Sequence, residues 1–169
     1  MTLTELIRSA EQQLLEAGVA FGQGTTNAFD EAVWLVLWRL GLPLDCDLGA
    51  KGHRTVTVHE REQVLALIDQ RIATRQPAAY LTREAWLQGV SFYVDERVII
   101  PRSLIAEPLA DGTLDAWLSA DTRHVLDLCT GNGSLAVLAA LAWPGAAVEA
   151  TDLSADALAV ARRNVERHT

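Results

Sequence analysis

Cysteine is scarce in this sequence. Cys46 and Cys129 are the only thiols, and neither has a His or Cys cluster beside it. That excludes a disulfide scaffold and a cysteine-ligated zinc site, and leaves two ordinary buried thiols as the expectation. His53, His59, His124 and His168 show no ligand spacing. They read as surface or strand-end residues, and no metal is expected. No apolar run approaches the ~20 residues needed to span a bilayer. Met1-Thr-Leu-Thr-Glu-Leu-Ile-Arg alternates polar and apolar residues too early for a signal peptide. A soluble, cytoplasmic protein with no membrane partner is therefore expected. Basic residues are the minority, 14 Lys and Arg against 22 Asp and Glu, for a net charge of -8. Direct nucleic-acid binding is disfavoured, because it calls for a basic face. A small ligand or a basic protein partner suits the acidity better. Internal repeats and low-complexity segments are also absent.

What is present is globular: 169 residues, half of them apolar and about a fifth charged. That length suits one full domain or two small ones. The first ~75 residues read as helices. Thr2 with Glu5 is a capping-box pattern, followed by the stripe Leu3, Leu6, Ile7, Ala10, Leu14 and Leu15, with Gly18 as a stop. A second helix starts near Asn27, with Asp30 and Glu31 in the first turn, where the helix dipole favours negative charge. It runs to Gly41, with Pro43 beyond. Residues 32–38 are apolar on nearly every side, which predicts the centre of a small bundle, with Trp34 and Trp38 as core. Thr57 with Glu60 opens a third helix whose stripe is Val64, Leu65, Leu67, Ile68 and Ile72, and Pro77 follows its end.

The pattern then changes. Between Tyr80 and Pro101 the residues alternate through Trp86, Val90, Phe92, Val94, Val98 and Ile100. This predicts a β-hairpin or a pair of short strands. Residues 104–118 look helical, with Leu104, Ile105, Leu109, Leu114, Trp117 and Leu118 apolar, and Pro108 and Gly112 keep that helix short or bent. The last fifty residues have a βαβα rhythm. His124-Val-Leu-Asp-Leu-Cys is a buried-strand run, Thr130-Gly-Asn-Gly the turn, and Ser134 to Ala142 an apolar helix broken by Pro144-Gly145. Ala147-Val-Glu-Ala-Thr is a second strand, and Ser154 or Asp156 caps a helix to about Arg167.

The chemistry lies in Asp127-Leu-Cys-Thr-Gly-Asn-Gly133. Glycines at a strand-to-helix turn let a ligand approach the backbone, and the helix that begins there offers unpaired N–H groups. Asp152, ending the next strand, is positioned to accept both hydroxyls of a ribose. It follows Gly133 by 19 positions, close to the ~20 of such nucleoside-binding crevices. Two cofactors fit. Gly131-x-Gly133-x-x-Ala136 also satisfies the loose dinucleotide fingerprint of a nicotinamide-linked oxidoreductase. Asp127 weighs the other way, since a carboxylate inside the first strand needs a cationic or hydrogen-bonding partner. A cofactor with a free amino acid and a sulfonium gives it a role.

Val125-Leu-Asp-Leu-Cys-Thr-Gly-Asn-Gly with Val148-Glu-Ala-Thr-Asp152 resembles the first two cofactor motifs of class I methyltransferases. Gln76-Pro-Ala-Ala-Tyr-Leu-Thr, Phe92-Tyr-Val-Asp and Val98-Ile-Ile-Pro-Arg102 resemble the HemK family of protein-glutamine methyltransferases. The resemblance is detailed over about Arg71 to His168. It implies an α/β fold: a helical substrate-recognition domain (1–75), a β-hairpin linker (76–103) and the first, incomplete part of a Rossmann-like S-adenosylmethionine-binding domain (104–169). It implies cofactor contacts from Asp127, Cys129, Thr130, Gly131, Asn132, Gly133 and Asp152, with Arg102 helping to close the pocket. Pro101-Arg-Ser-Leu-Ile-Ala-Glu107, Leu81-Thr-Arg-Glu-Ala-Trp86 and Phe92-Tyr-Val-Asp-Glu-Arg97 are closer to the branch that methylates ribosomal large-subunit protein L-three than to the release-factor branch. Leu104 stands where that branch usually has Pro, and Cys129 where release-factor enzymes usually have Gly.

The implied reaction transfers a methyl group from the sulfonium of S-adenosylmethionine, leaving S-adenosylhomocysteine, to a glutamine side-chain amide in a ribosomal protein. The family's Asn-Pro-Pro-Tyr loop has no counterpart, because Asn27, Asn132 and Asn164 are the only asparagines and none precedes Pro. No catalytic residue is therefore assigned. The expectation is a truncated chain without turnover, and with scope for self-association through an incomplete sheet. Alternatives of other classes are a non-catalytic protein-interaction module and the nicotinamide-linked oxidoreductase.

Overall fold

The computed structural model describes residues 1–119 and 121–168. Ala120 and Thr169, both inside the expected 104–169 segment, lie outside the described residues. The chain divides into two compact units, Met1–Thr82 and Arg83–Thr169.

The first unit is helical. Helix α1 (Leu3–Glu16) opens on the expected capping box. Thr2 Oγ1 accepts the Glu5 N–H at 3.2 Å, and the Glu5 carboxylate accepts the Thr2 N–H at 2.8 Å. Leu3, Leu6, Ile7, Ala10 and Leu14 are buried. Leu15 is 54% exposed, contrary to the sequence expectation. One residue turns the helix by about 100°, which carries Leu15 off the stripe that Leu14 still shares. Helix α2 (Ala28–Arg39) is capped by Asn27, and Ala32 and Trp34 to Leu37 are buried. Trp38 is only half-buried and lines an open groove with Leu67 and Leu81. Helix α4 (Val58–Thr74) begins at the Thr57–Glu60 capping box and buries Val64, Leu67 and Ile68. Helices α1, α2 and α4 pack on one another. Two short helices were not anticipated. Helix α3 (Leu48–Lys51) is capped by Asp47, and α5 (Ala78–Thr82) starts where Pro77 offers its carbonyl to the Tyr80 and Leu81 N–H groups. Proline there opens a helix rather than only ending one.

Glu31 does more than favour a helix dipole. It is 2% exposed, and its carboxylate accepts from Arg71 Nε at 2.8 Å and from the Thr25 hydroxyl at 2.9 Å. Arg71, 3% exposed, also donates to the Ala20 carbonyl at 3.0 Å. A buried ion pair thus joins α2 to α4.

In the second unit the alternation of residues 80–101 yields strands only in part. Strands β1 (Ala85–Leu87) and β2 (Val90–Phe92) form a hairpin in which Leu87 pairs with Val90. Gln88 and Gly89 both have positive φ, the geometry of a type I′ turn. Val94, Val98 and Ile100 are buried but lie outside strands, because Asp95 to Arg97 form a turn that gathers its own hydrogen bonds. The expected helix over 104–118 divides at Gly112 into α6 (Ala106–Ala110) and a 3-10 turn (Thr113–Trp117). Leu104 and Trp117 are 89% and 85% exposed, so neither is a core position.

Strand β3 (His124–Leu128), α7 (Ser134–Ala142), β4 (Ala147–Thr151) and α8 (Ala155–His168) follow, with β3 and β4 parallel and in register from His124↔Ala147 to Leu128↔Thr151. Val125 and Val148 pack with α7, Phe92 and Leu109 in one core. The opposite face is open. Leu126 and Leu128, expected in a strand buried on both sides, are exposed, because the helices pack only the Val125–Val148 face. No helix among the described residues is long and apolar enough to cross a membrane.

Candidate functional site

The site is the turn between β3 and α7. Register places Asp127 opposite Ala150, and the ladder continues past the strands, with the Thr130 N–H donating to the Thr151 carbonyl at 2.9 Å. Cys129, Gly131 and Gly133 all have positive φ, and the backbone rolls from strand to helix through them. Left-handed backbone strains a side chain with a Cβ, so Cys129 is the costly position of the three. Its thiol is exposed and that of Cys46 half-buried, which corrects the expectation of two buried cysteines.

The two glycines differ. A Cβ at Gly133 would sit 3.0 Å from Ala161 Cβ and 3.1 Å from its Cα, so this glycine lets α8 close on the turn. A Cβ at Gly131 would meet nothing within 4 Å. Close approach of a ligand to the backbone, expected at both, is available at Gly131.

Two carboxylates flank the turn. Asp127 is half-buried, and its side chain accepts a hydrogen bond from the Thr130 hydroxyl at 2.5 Å. This answers the need for a partner without supplying a cation. Asp152 accepts the Ser154 N–H and the Gly131 N–H, each at 2.9 Å. Those backbone donors, Ser154 first, hold its carboxyl below the usual range and keep it ionised at neutral pH. Asp152 therefore braces the turn. Residues 127–133 contain no Lys or Arg. Asn132 is 3% exposed. Its side-chain oxygen accepts the Ser134 N–H at 3.2 Å, whereas its side-chain N–H group is buried without an acceptor.

Asp127, Thr130, Gly131 and Asp152 are thus tied together by side-chain hydrogen bonds, with Cys129, Asn132 and Gly133 on the same turn. Arg102 has no ion-pair or hydrogen-bond partner among the described residues, and nothing ties it to the turn. Among the described residues no group of three or more His, Cys, Asp or Glu could hold a metal ion.

Sequence reasoning missed Asn164. It is fully buried on α8, and its carboxamide accepts the Tyr93 N–H at 2.7 Å and donates to the Tyr93 carbonyl at 2.9 Å and the Asn132 carbonyl at 2.8 Å. The signal was available: Ala157, Val160, Ala161 and Asn164 share the i, i+3, i+4, i+7 stripe, so an amide stands on an apolar face. His168, read as a surface residue, is half-buried. It donates from Nε2 to the Ser91 carbonyl at 2.7 Å and lies 5.4 Å from the Phe92 ring.

The methyltransferase small domain family matches residues 112–169. The ribosomal protein uL3 glutamine methyltransferase of Burkholderia pseudomallei is 53% identical over 99% of this chain and 54% of its own length. Its counterpart from Bordetella pertussis is 54% identical over 99% of this chain and 56% of its own, and that of Neisseria gonorrhoeae 48% over 98% and 55%. The chain spans about half the length of the curated relatives it matches. Over almost all its residues the chain is thus similar to the ribosomal protein uL3 glutamine methyltransferases, and over residues 112–169 to the methyltransferase small domain family.

Proposed function

We propose that this chain holds the nucleoside end of an S-adenosylmethionine site, in a protein that methylates a glutamine side-chain amide of ribosomal protein uL3. The observation that carries the reading is the pair of carboxylates, Asp127 and Asp152, on a turn without cations. A dinucleotide would bring two phosphate charges to an anionic turn. A sulfonium with an amino group brings positive charge to Asp127, while Asp152 is left for the ribose. The residues fit such a group: backbone is open at Gly131, and Asn132 keeps a buried N–H without an acceptor.

Bound there, S-adenosylmethionine supplies the activated methyl group. The chain's residues bind and orient. Asp152, with each oxygen directed by one backbone N–H, keeps lone pairs for the ribose hydroxyls. Asp127, fixed by Thr130, offers negative charge at the end of β3. Cys129, Thr130, Asn132 and Gly133 shape the turn. Arg102 remains a pocket-closing residue on the family resemblance alone. Residues 1–75 act as the substrate-recognition domain for a basic ribosomal protein, 76–103 as the linker, and 104–169 as part of the Rossmann-like cofactor domain, in a cytoplasmic protein. The names of the relatives support the uL3 substrate over a release factor.

The test is calorimetric titration of the chain with S-adenosylmethionine. Asp152→Ala is expected to weaken binding about tenfold, as for lost hydrogen bonds to a charged group. An unchanged dissociation constant would remove Asp152 from the site.

A further inference from the structure

We infer that Asn164 is a positioning residue for the cofactor turn, locking the Asn132 carbonyl to the linker at Tyr93. The inference rests on the proposed cofactor site. A carboxamide with no solvent exposure is costly unless its polar atoms are bonded. Here both N–H groups and the oxygen are used. The bonds are not local to α8: they reach 71 residues back to Tyr93 and 32 back to Asn132. Pairing with both the N–H and the carbonyl of Tyr93 reproduces a strand rung where β2 has just ended at Phe92. The remaining N–H then reaches the carbonyl of the residue between Gly131 and Gly133.

Tyr93 is itself held on three sides. Its hydroxyl donates to Asp95 at 2.8 Å, and the Arg163 guanidinium lies 3.6 Å from the centre of its ring. Arg163 precedes Asn164, so one stretch of α8 holds Tyr93 by ring and backbone together. The turn, by contrast, is strained at Cys129 and made of glycine at two positions, so its shape depends on outside ties. Besides Asn164 these are the Thr130 N–H to Thr151 carbonyl bond, the Asp152–Gly131 bond and the close seat of Gly133 on Ala161. Displacement of Tyr93 would move the Asn132 carbonyl with it, and with that the open backbone at Gly131. Asn164 touches no substrate. It acts through the turn.

The experiment compares Asn164→Ala with the unaltered 169-residue chain by amide hydrogen exchange without ligand and by calorimetry with S-adenosylmethionine. Exchange at Gly131, Gly133 and Ser134 is expected to rise about tenfold while the amides of β1, β2 and α8 keep their rates, and affinity to fall about tenfold. Unchanged exchange at the turn would overturn the tie. Faster exchange with unchanged affinity would overturn the positioning role. If the unaltered chain binds no S-adenosylmethionine, the cofactor reading fails and the positioning role with it, whatever the exchange shows. Should Asn164→Ala not fold, Asn164→Ser takes its place. Its hydroxyl is uncharged and too short to bridge Tyr93 and Asn132, so the same changes at the turn are expected and the same results would overturn the inference.

Discussion

Asp95 shows how much one side chain can hold in a segment without regular structure. It is 4% exposed and accepts from Arg97 Nε at 2.9 Å, Arg97 Nη2 at 2.7 Å and the Tyr93 hydroxyl at 2.8 Å. The Arg97 hydrogen bonds hold its carboxyl well below the usual carboxylate range, against the opposing effect of burial. A depressed folded-state value means stability that is fully present above the unfolded value of about 3.9 and lost as pH falls towards the folded one. Asp95→Asn is expected to lower stability by about 1–3 kcal/mol at neutral pH. Thermal unfolding of both proteins from pH 7 down to pH 2 checks this, with the gap constant to about pH 4 and shrinking below. A gap of the same size across the whole range would contradict it. The residues of the turn were legible because glycine and aspartate at fixed offsets have few other uses. Asn164 was not, since its partners are 71 and 32 residues away and only the fold brings them near.

Helix starts were the most legible elements. Thr2–Glu5, Asn27 and Thr57–Glu60 each cap the helix that the sequence places there, because capping depends on residues within one turn. Interiors were less so. Asp30 and Glu31 look alike in the sequence, yet Asp30 stays at the cap and Glu31 turns inward to Arg71, a choice made by α4. The hairpin's alternation overran its strands for a similar reason, since Val94, Val98 and Ile100 are buried by tertiary packing without strand pairing. Removing one partner of a buried pair leaves the other charge uncompensated. Arg71→Leu is expected to cost about 3–5 kcal/mol, and Glu31→Leu with Arg71→Leu together much less than the two single changes summed. Urea denaturation of the single and double variants measures this. Additive losses would mean that the pair is not coupled.

For the whole molecule, the α/β character and the parallel β3–β4 pair were legible from the strand–turn–helix rhythm and the spacing from Gly133 to Asp152. The exposure of Leu126 and Leu128 was not, because an apolar strand reads as buried whether or not anything covers it. The proposed function rests on a choice between a sulfonium cofactor and a dinucleotide at the turn. Parallel calorimetric titrations of the 169-residue chain with S-adenosylmethionine and with NAD bear on that choice most directly. Saturable binding of S-adenosylmethionine and none of NAD is predicted. Tight binding of NAD with none of S-adenosylmethionine would contradict the account.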